Sequence, residues 1–199
     1  MNSGNNSIDY VVTQKKEGKY AVIQTLLYIL YAVAFLAVFV LFMKLFSVLG
    51  VIMGGVLGPT LVYIVYLATR HICTFDRKYS IFTPTAGMDT VPHTMISFEI
   101  VKDKKQRDPD KRNVVFESEI KAAECFAPYK PEYKDKYAAA DVTRTIDFRS
   151  STKAVSDVYF GVFPGEGGKT VVIFEAVNKI VEKLAYYNKD ATIVEPLSK

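Results

Sequence analysis

Residues 20–69 read YAVIQTLLYILYAVAFLAVFVLFMKLFSVLGVIMGGVLGPTLVYIVYLAT, fifty residues in which Lys44 is the only charge. A bilayer core about 30 Å thick takes a helix of about 20 apolar residues, so this stretch is long enough for two spans and too long for one. The fold point lies in Lys44 to Gly50, which puts the first span at about 20–43 and the second at about 48–69. Pro59 cannot begin the second span, because Pro59 to Thr69 is too short to cross. It therefore lies inside, where a kink is tolerated if neighbouring helix covers the freed carbonyl.

Gly50, Gly54 and Gly58 recur every four residues and share one helical face, the small-xxx-small spacing that lets helices approach closely. Ala32, Ala34 and Ala37 of the first span are the expected partners. A second copy, giving a homo-oligomer through the second span, is the other reading, and glycine is also simply common in membrane helices. Lys15, Lys16 and Lys19 precede the first span, Arg70, Arg77 and Lys78 follow the second, and the hairpin carries only Lys44. By the positive-inside rule this is a multi-pass protein of the cell membrane with both termini cytoplasmic. Ala32-Val33-Ala34 resembles a signal cleavage site, but the apolar run continues to Met43 and a second span comes after it, so an uncleaved span is the expected reading.

Outward from this block the chain divides into 1–19, 20–70 and 71–199. The first seven residues are rich in Asn, Ser and Gly and are expected to be disordered. Ile8 to Lys19 reads as a frayed, juxtamembrane approach to the first helix. After Arg70 the apolar pattern turns to period two. Tyr79–Thr83 reads as a strand, and Thr94–Val101 as a half-buried strand with Ile96, Phe98 and Ile100 on its apolar face. Lys102–Arg112 is a solvated loop and Asn113–Glu119 the strand that returns from it. Glu119–Pro128 is ambiguous, Tyr129–Ala140 reads as a surface loop, and Thr143–Phe148 as a strand. Asp157–Phe163 and Lys169–Glu175 flank Pro-Gly-Glu-Gly-Gly as a hairpin. Val177, Ile180, Val181 and Leu184 then fall at helical spacing, an amphipathic helix ending near Asn188 that caps the sheet. Ala191–Val194 is a candidate last strand. These elements predict an antiparallel α+β unit.

Composition narrows the functional classes. A formal charge of +4 and a pI near 8.9 fall short of the concentrated basicity of a nucleic-acid groove, so no nucleic-acid partner is expected. Cys73 and Cys125 have no framework spacing and fit a reducing compartment. Gly168-Lys169-Thr170 ends like a phosphate loop, but Phe163 stands where its first glycine belongs and the next element is a strand instead of a helix, so the turn reading wins. His71, Cys73, His93 and Cys125 lack the close pairs of a structural metal site. They offer no third group to orient a Cys-His base either. No catalytic, cofactor or metal residue is nominated. Lys102, Lys104, Lys105, Arg107, Lys111 and Arg112, set against three acidic residues in their loop, are candidate contacts for anionic lipid headgroups, with a solvated hairpin loop as the plainer reading. Tyr129, Tyr133 and Tyr137 recur every four residues around Pro131 and are expected to cover the sheet.

The second span followed by Arg77-Lys78-Tyr79-Ser80-Ile81-Phe82, the run Ile120–Pro128 ending Ala-Pro, Tyr159-Phe160, and Val172-Ile173-Phe174-Glu175 before the amphipathic helix resemble an uncharacterised family of small Gram-positive bacterial membrane proteins. The sequence departs from that pattern at Ala176-Val177, where Pro and a polar helix start belong. The resemblance implies two transmembrane helices and a cytoplasmic domain similar to pleckstrin-homology (PH) folds, and it carries no catalytic residues. Two functions are then expected. One is a non-enzymatic protein whose anchored PH-like domain binds a protein partner or the membrane surface. The other is a small accessory subunit of a transporter or membrane complex, docked through the glycine face.

Overall fold

The computed structural model describes residues 7–15, 17–69, 75–84, 93–101, 112–151 and 157–197. The chain divides into two compact units. One holds the residues up to Gln14 together with those from Asp76 on, and the other is Lys15–Phe75.

In the second unit helical geometry runs over α1, Lys19–Thr69, and the chain doubles back within it to give two arms, Tyr20–Phe46 and Val48–Thr69. The pairing is progressive. Gly50 lies against Phe42, Gly54 against Phe39, Gly58 against Phe35, and Tyr31 reaches Thr69 across the root. Both arms are long and apolar enough to cross a membrane. Outside this seam the surface is almost wholly large aliphatic and aromatic side chains, among them Leu30, Leu36, Val48 and Ile52.

The other unit begins with a strand where the sequence reading placed a frayed, juxtamembrane segment. β1 (Ile8–Thr13) pairs antiparallel with β2 (Asp76–Phe82), from Ile8 opposite Ile81 to Thr13 opposite Asp76. The whole helical unit is thus inserted between two neighbouring strands of one ladder, and the boundary expected at residue 70 gives way to a domain split by its own hairpin. β3 (Met95–Val101) and β4 (Val114–Glu119) complete a four-stranded antiparallel sheet in the order β1-β2-β3-β4.

A second sheet has the order β5-β7-β8-β6, from β5 (Cys125–Pro128), β6 (Val142–Asp147), β7 (Val158–Gly165) and β8 (Gly168–Glu175). It is antiparallel except that β6 runs parallel to β8. The β7–β8 turn sits at Glu166-Gly167, and at Gly168 a Cβ would fall 2.3 Å from the Thr143 methyl and 2.7 Å from the Asp141 carbonyl, which reserves that position for glycine.

The main core is aromatic. The Tyr79 ring lies 5.4 Å from Phe148 and 5.7 Å from Phe98, which in turn lies 5.4 Å from Phe174, all four buried. Burying each such side chain contributes about 1.5–3 kcal/mol, and the tilted and edge-on geometry adds to it. α2 (Lys134–Tyr137) follows a 3-10 turn at Pro131–Tyr133, and this segment with Tyr129, Tyr133 and Tyr137 covers a second apolar cluster formed by Cys125, Val158, Phe160 and Ile173.

α3 (Asn178–Tyr187) buries Ile180, Val181 and Leu184 in the main core. Val177 stands at its start without a side-chain cap. Asn188 secures the other end by donating to the carbonyls of Ile120 and Ala123, 2.9 Å each, at the start of the 3-10 turn Ile120–Ala122 and just past its end. The architecture is α+β, with two long apolar helices and a largely antiparallel two-sheet unit that ends in a helix.

Candidate functional site

The glycine face is turned to the chain's own first arm. A Cβ on Gly54 would meet the Phe39 ring at 3.1 Å and one on Gly58 the Phe35 ring at 3.0 Å, while one on Gly50 would fall 2.0 Å from the Phe42 carbonyl oxygen. The nearest neighbours are phenylalanines; Ala32 and Ala37 are exposed and Ala34 is half-buried. Large rings fill the space the missing Cβ atoms leave, so the seam is small against large. The hydroxyls of Thr25, Thr60 and Thr69 donate to carbonyls one turn back, those of Ala21, Val56 and Val65.

Of the candidate lipid contacts, Lys102, Lys104, Lys105, Arg107 and Lys111 lie outside the described residues. Arg112 is engaged on the outer side of the first sheet. Its guanidinium donates through Nε to Glu99 Oε1 at 3.0 Å and through Nη2 to Ser97 Oγ at 3.0 Å, reaches Glu117 at 3.4 Å, and sits 5.3 Å above the Phe82 ring. These partners bury Ser97 and Glu99, which the alternation had assigned to a solvent face.

His71 and Cys73 also fall outside the described residues. His93 pairs with Glu119 at 2.9 Å. Cys125 is buried with Lys136 Nζ 3.9 Å from its sulfur, and burial pushes the thiol above its ordinary range despite that amine. A thiol held protonated is a poor nucleophile. Lys169 of the glycine turn is bound by Glu124 at 2.8 Å and Asp141 at 2.7 Å, which hold it charged.

A buried polar network joins the strands that flank the insertion. Arg77 donates through Nε to Gln14 Oε1 at 2.8 Å and through Nη1 to the Asp147 carbonyl at 3.0 Å, with its guanidinium 5.1 Å over Phe148. Gln14 donates to the Ser150 carbonyl, and both the amide and the hydroxyl of Ser150 donate to Glu175. Ser150 is fully buried, and its hydroxyl is spent on the Glu175 carboxylate. The network ties the last residue before the helical unit to the second residue of β2.

A mixed polar and apolar cleft of the sheet unit lies where β5 meets the C-terminal segment. It has a volume of about 230 Å³ and is lined by Pro128, Lys130, Asp157, Tyr159, Glu195 and Leu197 among others. Asp157 takes a left-handed backbone, φ 67°. The C-terminal segment runs parallel to β5. The Phe126 amide donates to the Ala191 carbonyl at 2.7 Å, and the Ile193 amide donates back to the Phe126 carbonyl at 2.8 Å.

Beyond that bridge, Lys130 ion-pairs with Glu195, the Tyr133 hydroxyl donates to Glu195 Oε1 at 3.2 Å, and the Glu195 amide donates to the Tyr159 hydroxyl at 3.1 Å. The Lys130 hydrogen bond holds the Glu195 carboxyl below its usual range. Ile193 packs on the second cluster and Leu197 on the main core. The sequence marked Ala191–Val194 as a strand, but nothing local to it pointed to β5 as its partner.

A family model described as a bacterial PH-like domain (DUF6106) matches residues 99–193. The match runs from within β3 through α3 into the C-terminal segment, and leaves β1, the helical unit and β2 outside. No curated protein and no solved structure matches the chain.

Proposed function

We propose that this chain is a non-enzymatic membrane-anchored protein whose PH-like unit docks a protein partner at the cytoplasmic face. The observation that carries it is the insertion of the apolar hairpin between β1 and β2. Strands that pair in one ladder must meet on one side of a bilayer, which is consistent with an even number of crossings and with both termini on the side marked by Lys15, Lys19 and Lys78.

The hairpin reads as anchor more than as docking surface. Gly50, Gly54 and Gly58 are engaged within the chain, its threonine hydroxyls are satisfied by their own helix, and its outer surface offers the large aliphatic side chains that suit lipid. The accessory-subunit reading thereby loses the glycine face it relied on. A protein partner is favoured over the membrane surface because Arg112, the one candidate lipid contact among the described residues, is committed to Glu99.

A photo-crosslinking residue at Lys130 in the membrane-embedded chain is expected to give a discrete protein adduct. Adducts to lipid alone, or turnover of a substrate by the purified chain that one polar substitution abolishes, would overturn the reading.

A further inference from the structure

We propose that the outer side of β5 is a docking edge for an extended peptide segment of a protein partner, and that Ala191–Leu197 is this chain's own occupant of that edge. The inference rests on the protein-partner reading above and names the surface and the chemistry of the ligand.

β5 is an edge strand, paired with β7 on one side and presenting the Phe126 amide and carbonyl on the other. Unpaired main-chain groups of this kind take up any extended chain, with specificity supplied by alternate side chains. The C-terminal segment meets that description. Its bridge to β5 consists of two backbone hydrogen bonds at one residue, whereas β7 and β8 pair along their whole length from Val158 opposite Glu175 to Gly165 opposite Gly168. Main-chain pairing this short leaves the segment held chiefly by the side chains of Ile193, Glu195 and Leu197, and it opens at a lower free energy than the sheet it lies on.

The segment also states what fits. Ile193, Glu195 and Leu197 fall at alternate positions. Ile193 meets the second apolar cluster, Glu195 meets Lys130 and Tyr133, and Leu197 meets the main core beside the cleft. The ligand is therefore an extended segment with an apolar residue, an acidic residue two further on, and another apolar residue two beyond that. While the chain's own segment is bound it competes from a high effective concentration, so a partner engages only when it binds more tightly or the segment is drawn away.

The test uses the full chain in detergent and a labelled peptide of sequence ATIVEPL, residues 191–197. A chain ended after Asp190 is expected to bind the peptide at least tenfold more tightly than the intact chain. Lys130→Glu is expected to abolish that binding, and a peptide carrying Glu195→Lys to restore it. Equal or absent binding by both chains would overturn the proposal.

Native-state hydrogen exchange on the intact chain guards against a shortened chain that fails to fold. The Ile193 amide should exchange at least a hundredfold faster than the Val171 and Val172 amides, and equal protection would make the segment a permanent strand and overturn the proposal. A dimer of intact chains that Lys130→Glu dissociates would name a second copy's segment as the occupant and overturn the partner assignment. Failure of the peptide arms with the Lys130 protein adduct still forming would remove this edge and leave the protein-partner reading in place.

Discussion

Gly54 and Gly55 are neighbours in sequence with opposite demands. A Cβ at Gly54 would press the Phe39 ring, while one at Gly55 meets nothing within 4 Å. Gly54→Leu should therefore destabilise the hairpin by roughly 1–3 kcal/mol through overpacking, and Gly55→Leu should be close to neutral, as read from unfolding of the full chain in mixed micelles. The four-residue spacing made this face legible. Its partners were not, because spacing shows where side chains are missing and says nothing of how large the opposing ones are. Alternation misled at Ser97 and Glu99 for a related reason. Their face is polar yet covered, since Arg112 folds across it from beyond the strand.

Arg77→Met should cost about 1–3 kcal/mol, because it removes the guanidinium donors to the Gln14 side chain and the Asp147 carbonyl within a buried network. The measure is the denaturant midpoint of the sheet unit within the full chain. Cys125 should react with a thiol reagent at neutral pH orders of magnitude more slowly than an exposed cysteine, in a Cys73→Ser background, and catch up on denaturation.

Among the elements, α3 was the plainest in the sequence because its apolar stripe has helical spacing. Leu184 is fully buried and Tyr186 points outward, so Leu184→Ala should cost about 2–5 kcal/mol and Tyr186→Ala no more than about 0.5. β1 was the least legible. Its residues alternate, but they are followed by lysines and an apolar run, and the strand they pair with is encoded beyond the hairpin, where no local pattern can announce it.

The C-terminal segment adds a pH prediction. The folded carboxyl of Glu195 sits below its unfolded range, so the stabilisation it brings is complete above about pH 4.5 and is lost as pH falls through the depressed folded value. Exchange of the Ile193 amide, corrected for its intrinsic pH dependence, should quicken in that acid window while the β7–β8 amides stay protected.

For the molecule as a whole, the order of hairpin, strands and final helix could be read from periodicity, and with it the α+β class. What could not be read was that the domain starts before the hairpin. Composition marks a boundary where hydropathy changes, whereas a compact unit is defined by which residues pack together. Single-cysteine labels at Ser7 and Val194, each in a cysteine-free background, should both stay shielded from an impermeant reagent in sealed cells and become reactive only after permeabilisation. Reaction at one site and not the other from outside would break the same-side arrangement that the β1–β2 ladder demands, and reaction at both would reverse the orientation.

That ladder also imposes an order in time. β1 leaves the ribosome and must wait for β2, which is encoded roughly sixty residues later, a delay of about 3–12 s at ordinary synthesis rates. During that interval the first strand has no sheet to join, and its apolar face is satisfied only by chaperone, membrane surface or collapse. The sheet unit therefore completes its first sheet only after both arms of the hairpin have been made. A variant that stalls between the arms should leave β1 exposed to protease even though its own residues are unchanged.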